Sequence, residues 1–347
     1  MRIHWVFTGC DEESKSAAIS YFQNRKLELQ GKLRQAGEDP GDLRLAIHHD
    51  SENGRWEIQA ALHSSGRTLT TESQAEELSD AWDDIFACLA RQIDDVETGV
   101  PAVARTRRGQ KGVDPLLEKN FRAGRSDAFM AFLQPIVRSL HHYVHQELAA
   151  RQREQNAPPE VLTAVEVLDE MLIRAWERFG RRPQDRTLDL WLVEIAHEIM
   201  DQHSQPLTQQ SLEERLPAPD QHSRGTDDDN WVDIESYQQT MELSDFLPGE
   251  EAPDYWDRLD VETKQLGMAQ LLGSLSRDQR QTLLLSAVEG FSTAEIADFQ
   301  GRRTEEVEGD IVEARATLQR RLDQESLLEI EQAMEAPGAR DGRRRRR

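Results

Sequence analysis

Leu275-Ser276-Arg277-Asp278-Gln279-Arg280-Gln281-Thr282-Leu283-Leu284-Leu285, followed by Val288-Glu289-Gly290-Phe291-Ser292-Thr293-Ala294-Glu295-Ile296-Ala297, reads as two short helices. Ser292 stands where a helix N-cap is wanted and Glu295 follows three residues on, the spacing of a capping box. Gly301 then supplies a tight turn, and Val307, Ile311, Ala314, Leu318 and Leu322 recur at helical spacing, so a third helix buries one stripe. The opposite face of that helix is acidic, with Glu305, Glu306, Glu308, Gly309, Asp310 and Glu313. Acids in a first helical turn suit the helix dipole, which accounts for Glu305 and Glu306 better than for Glu308, Asp310 and Glu313.

This stretch resembles region 4 of sigma-70 family factors, which implies a helix-turn-helix whose third helix enters the major groove of promoter DNA. The resemblance makes Arg302, Arg303, Thr304, Arg315, Arg320 and Arg321 the candidates for DNA contact. Carboxylates in place of the bases that meet phosphates and base edges make promoter DNA at most a weak expected partner.

Working backward, Phe129, Phe132, Leu133, Ile136, Leu140 and Tyr143 mark one face of a long helix that Pro135 is expected to kink. Val165, Leu168, Leu172, Ala175 and Phe179, then Leu188, Trp191, Leu192, Ile195 and Ile199, supply two partner helices. The strings from Ala164 to Trp176 and from Leu188 to His197 resemble region 2 of sigma factors, particularly the small extracytoplasmic-function group. That likeness implies docking on the clamp of the RNA polymerase β′ subunit through Asp169, Glu170, Arg174 and Trp176. Glu194, His197 and Glu198 stand where the family opens promoter DNA with bases and an asparagine.

At the N-terminus, Ile3, Trp5 and Phe7 alternate as in a half-buried strand, and Asp11, Glu12 and Glu13 suit the start of a helix carrying Ile19, Phe22, Leu29 and Leu33. Leu43, Leu45 and Ile47 alternate, Asn53-Gly54 signals a hairpin, and Trp56, Ile58, Ala60 and Leu62 alternate again before a shorter strand near Thr68 to Thr71. A helix with Leu78, Trp82, Ile85, Phe86, Leu89 and Ile93 completes a β-α-β-β-β-α order. This order, with the segment Asp80 to Ile93, resembles ribosome hibernation factors of the HPF/RaiA family. The resemblance implies binding to the small ribosomal subunit through Lys15, Arg25, Lys26, Lys32 and Arg34. Cys88, Asp94 and Asp95 replace lysines of the second helix, however, and Glu76, Glu77, Asp80, Asp83 and Asp84 add negative charge.

Charge is unevenly distributed over the 347 residues, whose 42 bases and 65 acids sum to −23. By segment the sums are −9 for 1–98, +4 for 99–113, −4 for 114–204, −13 for 205–263, −6 for 264–339 and +5 for 340–347. Residues 99–113 read as a basic flexible linker. Residues 205–263 read as a disordered acidic linker, or as an acidic strand mimic studded with Trp231, Tyr237, Phe246, Tyr255 and Trp256. Residues 337–347 read as an Arg-rich tail.

The expected architecture is an α+β domain over 1–98, an all-α region 2-like domain over 114–204 and a region 4-like domain over 264–336. No apolar run is long enough for a membrane span, no leader is apparent, and two cysteines suit a reducing compartment, so a cytoplasmic location is expected. His141, His142 and His145 lack a further ligand, and no nucleotide loop or nucleophile triad is visible; no metal, cofactor or catalytic residue is expected. The expected function is that of a bacterial regulator linking translation state to transcription by binding the ribosome, polymerase core or both. The alternatives are a working extracytoplasmic-function-like sigma factor, or an adaptor or anti-sigma-like antagonist that touches no nucleic acid.

Overall fold

The computed structural model describes residues 1–37, 41–51, 53–64, 67–94, 102–154, 162–204, 243–247, 256 and 261–335. They form two compact units, Met1–Arg215 and Leu216–Arg347.

The first unit opens with β1 (Arg2–Thr8), α1 (Glu12–Gln35), β2 (Asp42–Asp50), β3 (Arg55–Ser64), β4 (Arg67–Ala75) and α2 (Leu78–Asp94). Asp11 caps α1 by accepting from the Ser14 backbone N–H at 2.8 Å. The sheet runs β1-β2-β3-β4, with β1 parallel to β2 and the remaining pairs antiparallel. Gly54 turns the β2–β3 hairpin at φ 65°, and the Asp50 carboxylate accepts from the Asn53 side chain at 2.7 Å. That turn sets Ile47 opposite Ile58 and Leu43 opposite Leu62, so one face of the sheet is apolar. Phe22, Leu29 and Leu33 of α1 and Trp82, Phe86, Leu89 and Ile93 of α2 cover it.

The second face is also covered, which the alternation did not predict. Residues 99–113, expected as a flexible tether, are helical from Ala102 onward: α3 (Ala102–Arg122) packs along β4, and α4 (Ser126–Ser139) packs near β1 and β2. The seam is polar. Asn120 donates to the Gln59 side-chain oxygen at 2.6 Å, Arg44 donates to Gln134 at 2.8 Å, and Thr70 donates to the Gly112 carbonyl at 2.9 Å. Arg44, Glu57 and Gln59 are nearly or fully buried although their alternation reads as a solvent face. Each buried polar group here meets a partner from a helix more than forty residues away, so its burial is compatible with folding.

The helix expected through Pro135 continues past that proline and breaks at Leu140, where α5 (His141–Glu154) begins. A proline withholds one N–H and need not end the helix by itself. α6 (Ala164–Arg178) starts at a Thr163 capping box and packs on α7 (Leu188–Ser204). Phe121, Phe129, Trp176, Phe179 and Trp191 form an aromatic cluster among these helices. The His141 and His145 rings stack at 6.1 Å, and no group of metal-ligating side chains occurs among the described residues.

The second unit contains α8 (Leu243–Phe246), α9 (Val261–Gly273), α10 (Arg277–Ala287), α11 (Thr293–Gln300) and α12 (Thr304–Glu335). Ser292 and Glu295 form the predicted capping box, Gly301 takes φ 64°, and Val307, Ile311, Ala314, Leu318 and Leu322 are buried. The acidic linker expected to be disordered contributes core residues: Leu243, Phe246, Leu247 and Trp256 are each at most 5% exposed. Apolar residues at positions 243, 246 and 247 share one helical face, which a segment-wide composition hides. Trp231, Tyr237, Tyr255 and the Arg-rich tail lie outside the described residues. No described helix is long and apolar enough to cross a membrane.

Candidate functional site

The outer side of α12 is the candidate site of the second unit, and three of the bases there, Arg302, Arg303 and Arg315, are held by other groups. Arg302 donates to the Asp310 carboxylate at 2.6 Å, a bond that raises its pKa. Arg303 donates from its guanidinium to Glu306 at 2.8 Å and from its backbone N–H at 3.3 Å, holding that carboxyl below its usual range. Arg315 donates from Nε to the Phe246 carbonyl at 3.1 Å. Arg320 bonds the Ala316 carbonyl and Thr317 hydroxyl of its own helix, Arg321 is exposed, and Thr304 is half-buried at the start of α12.

Glu305, Glu308, Gly309 and Glu313 are exposed along the same helix, with Val312 among them at 69% exposure. Arg315 and Arg320 are five residues apart and so lie on different faces. The result is an acidic surface with an apolar spot, where a continuous basic strip would be needed to follow a phosphate backbone.

The first unit repeats the pattern. On α7, Glu194 pairs with Arg186 and Glu198 with Arg178, each at 2.5 Å. His197 lies 2.5 Å from the Tyr143 hydroxyl and 2.8 Å from an Arg151 guanidinium nitrogen. A guanidinium only donates, so Nδ1 of His197 accepts and its ring proton resides on Nε2, toward Tyr143. Arg151, 4% exposed, also donates to Glu147 at 2.8 Å and to Asp201. Glu198 and His197 therefore tie α7 to α6 and α5, and Glu194 ties it to the turn that precedes it.

On α6, Arg174 donates to Glu170 at 2.7 Å and to Gln202 at 2.9 Å. Trp176 packs edge-on against Phe121 and Phe129 and is partly structural. Asp169 is exposed at its surface, with partial burial raising its pKa against the opposing pull of Arg138. Ile173, 49% exposed, lies on the same helix.

The bases of α1 do not form a free cluster. Arg25 pairs with Asp83 of α2 at 2.5 Å and with Glu28, Lys32 pairs with Asp94 of α2 at 2.8 Å, and Lys15 pairs with Glu12 at 2.6 Å. Lys26 and Arg34 make no ion pair among the described residues. The acids of α2 thus neutralise bases across the helix pair. The site residues that sequence reasoning missed are Phe246, Tyr143 and Arg151, whose partners are distant in the chain; the apolar pattern at 243, 246 and 247 was the available signal for the first.

Residues 272–321 match the family model described as the sigma-like domain of the response regulator PhyR. The match spans α10, α11 and the first half of α12 and does not reach the sheet. No curated protein matches the chain. Among solved structures, the sigma factor RpoE in complex with the anti-sigma factor NepR from Bartonella quintana is 17% identical, over 55% of this chain and 94% of that one, with a TM-score of 0.33. CnrH in complex with the cytosolic domain of CnrY is 21% identical, over 61% of this chain and 98% of that one, with a TM-score of 0.34. The chain thus carries a sigma-like segment at residues 272–321, embedded in its second unit.

Proposed function

We propose that the chain is a transcriptional regulator whose sigma-like unit acts by binding protein, having given up promoter reading. One observation carries this reading: Arg302, Arg303 and Arg315 are engaged by Asp310, Glu306 and the Phe246 carbonyl, while Glu305, Glu308 and Glu313 face solvent. A DNA phosphate approaching α12 would have to break those bonds and pass exposed carboxylates, with few counterions to release in return. Polymerase core is the partner class we favour, with Asp169, Glu170 and Ile173 of α6 offering an accessible charged and apolar face. Within the first unit α6 carries that face, and the α1–α2 pair serves in this reading as a scaffold more than as an rRNA clamp, since Arg25, Lys32 and Lys15 are already ion-paired.

Tagged full-length chain captured across a salt series, probed for polymerase and ribosomal subunits, tests the reading together with duplex DNA binding. Polymerase copurification without duplex affinity is the expected result. Tight duplex binding that weakens steeply with salt would reject it, as would capture of ribosomal subunits alone.

A further inference from the structure

Leu243-Ser244-Asp245-Phe246-Leu247 makes a single helical turn, closed by the Leu247 N–H on the Leu243 carbonyl at 3.0 Å. Leu243, Phe246 and Leu247 sit at i, i+3 and i+4 and are 4%, 0% and 5% exposed, while Asp245 faces solvent. The turn rests on α10, and Arg315 of α12 donates to the Phe246 carbonyl at its C-terminal end. These are the parts of a helix-in-groove complex: three apolar anchors on one face and a cation at the carbonyl end of the ligand.

One helical turn cannot sustain itself in water, because nucleation fixes several residues for a single backbone bond. Its order therefore derives from the seat beneath it. An element held this way is drawn from the low-stability end of a fold and opens before the core does.

We infer that the seat formed by α10 and Arg315 is a peptide-docking site, filled here by the chain's own Leu243–Leu247 turn. It takes an amphipathic helical segment with an aliphatic residue at i, an aromatic at i+3 and an aliphatic at i+4. A protein partner presenting such a segment exchanges with the internal one. Because the internal turn belongs to the same chain, it competes at an effective concentration on the order of millimolar, so a partner segment displaces it by exceeding that concentration or by binding the seat more tightly than the turn does. This deepens the proposal that the second unit binds protein, and names where.

The test uses full-length chain carrying Leu243→Ser and Phe246→Ser, with a fluorescent synthetic peptide of residues 240–250 as probe. The peptide should bind the double variant at least tenfold more tightly than the parent chain, whose seat is filled. A peptide carrying Phe246→Ser should not bind, and adding Arg315→Ala to the chain should weaken binding severalfold. Equal binding to parent and variant, or no binding to a variant that melts cooperatively, would overturn the inference. Should the variant fail to fold, hydrogen exchange on the parent decides. Excess peptide should speed exchange at the amides of 245–247, and unchanged exchange at peptide concentrations of about 1 mM or above overturns the site. Failure of the polymerase capture, in contrast, would leave peptide binding intact and reject only the functional reading.

Discussion

Replacing Glu57 by glutamine tests whether the sheet and the helices that follow fold as one body. Glu57 is 8% exposed on the second face of β3, and its carboxylate meets Lys119 and Arg125 at 3.1 Å each. Gln59 donates to it at 2.9 Å. Burial pushes its pKa up, but the charges of Arg125 and Lys119 outweigh burial and hold it below its ordinary value of 4.5. A depressed carboxylate pKa contributes stability that is present above the unfolded value and lost as pH falls through the folded one. Breaking a buried pair from one side costs about 3–5 kcal/mol. Lys119 keeps Glu72 at 2.8 Å and is one-third exposed, so mainly the Arg125 half is lost. We expect a cost of about 2–3 kcal/mol for Glu57→Gln, from the strength of hydrogen bonds between charged groups. At roughly 2–4 °C per kcal/mol for a unit of this size, the melting temperature should fall by about 4–12 °C. Glu72→Gln, on a carboxylate 49% exposed, should cost less than about 1 kcal/mol. Urea unfolding followed by circular dichroism at neutral pH and again below about pH 4 reads both, and the difference between parent and Glu57→Gln should shrink at the lower pH. Equal and negligible costs for the two variants, or separate melting of sheet and helices, would refute the seam.

Phe246→Ala should speed hydrogen exchange at the amides of 245–247 by about tenfold or more, because the fully buried ring anchors that turn; unchanged exchange there would mean that the ring does not hold it. Gly301→Ala should cost about 1–2 kcal/mol, since φ at 64° strains a residue with a Cβ, and unchanged thermal stability would contradict that turn. Glu308→Lys combined with Asp310→Asn should create duplex DNA affinity that falls with salt, by adding one base and releasing Arg302; fluorescence anisotropy showing no gain would mean that charge is not what bars DNA.

Local features were legible wherever neighbours in sequence decide them. The alternation of β1 to β3, the Gly54 turn, the Ser292 capping box and the stripe from Val307 to Leu322 all follow from contacts within a few residues. β4 ran longer than its pattern, from Arg67 to Ala75, because polar Thr, Glu and Ser side chains pair as well as apolar ones on a covered edge. α3 was hidden by Gly109, Gly112 and Pro115, which lower helix propensity but are overridden by packing on β4.

The sequence by itself determined the elements whose apolar period is local, β1 to β3, α1, α2 and the helices from Arg277 to Leu322, and showed that carboxylates crowd α2 and the outer side of α12. Only tertiary structure decided what those charges do. Asp83 and Asp94 quench Arg25 and Lys32 across two helices, Glu57 fastens α3 and α4 to the sheet, and Arg315 grips the backbone of a segment whose composition reads as loose. Hydrophobic period is a local property of the chain. A buried polar group, by contrast, is tolerable only once its partner has been brought within about 3 Å, and residues that distant in sequence meet only when the fold closes.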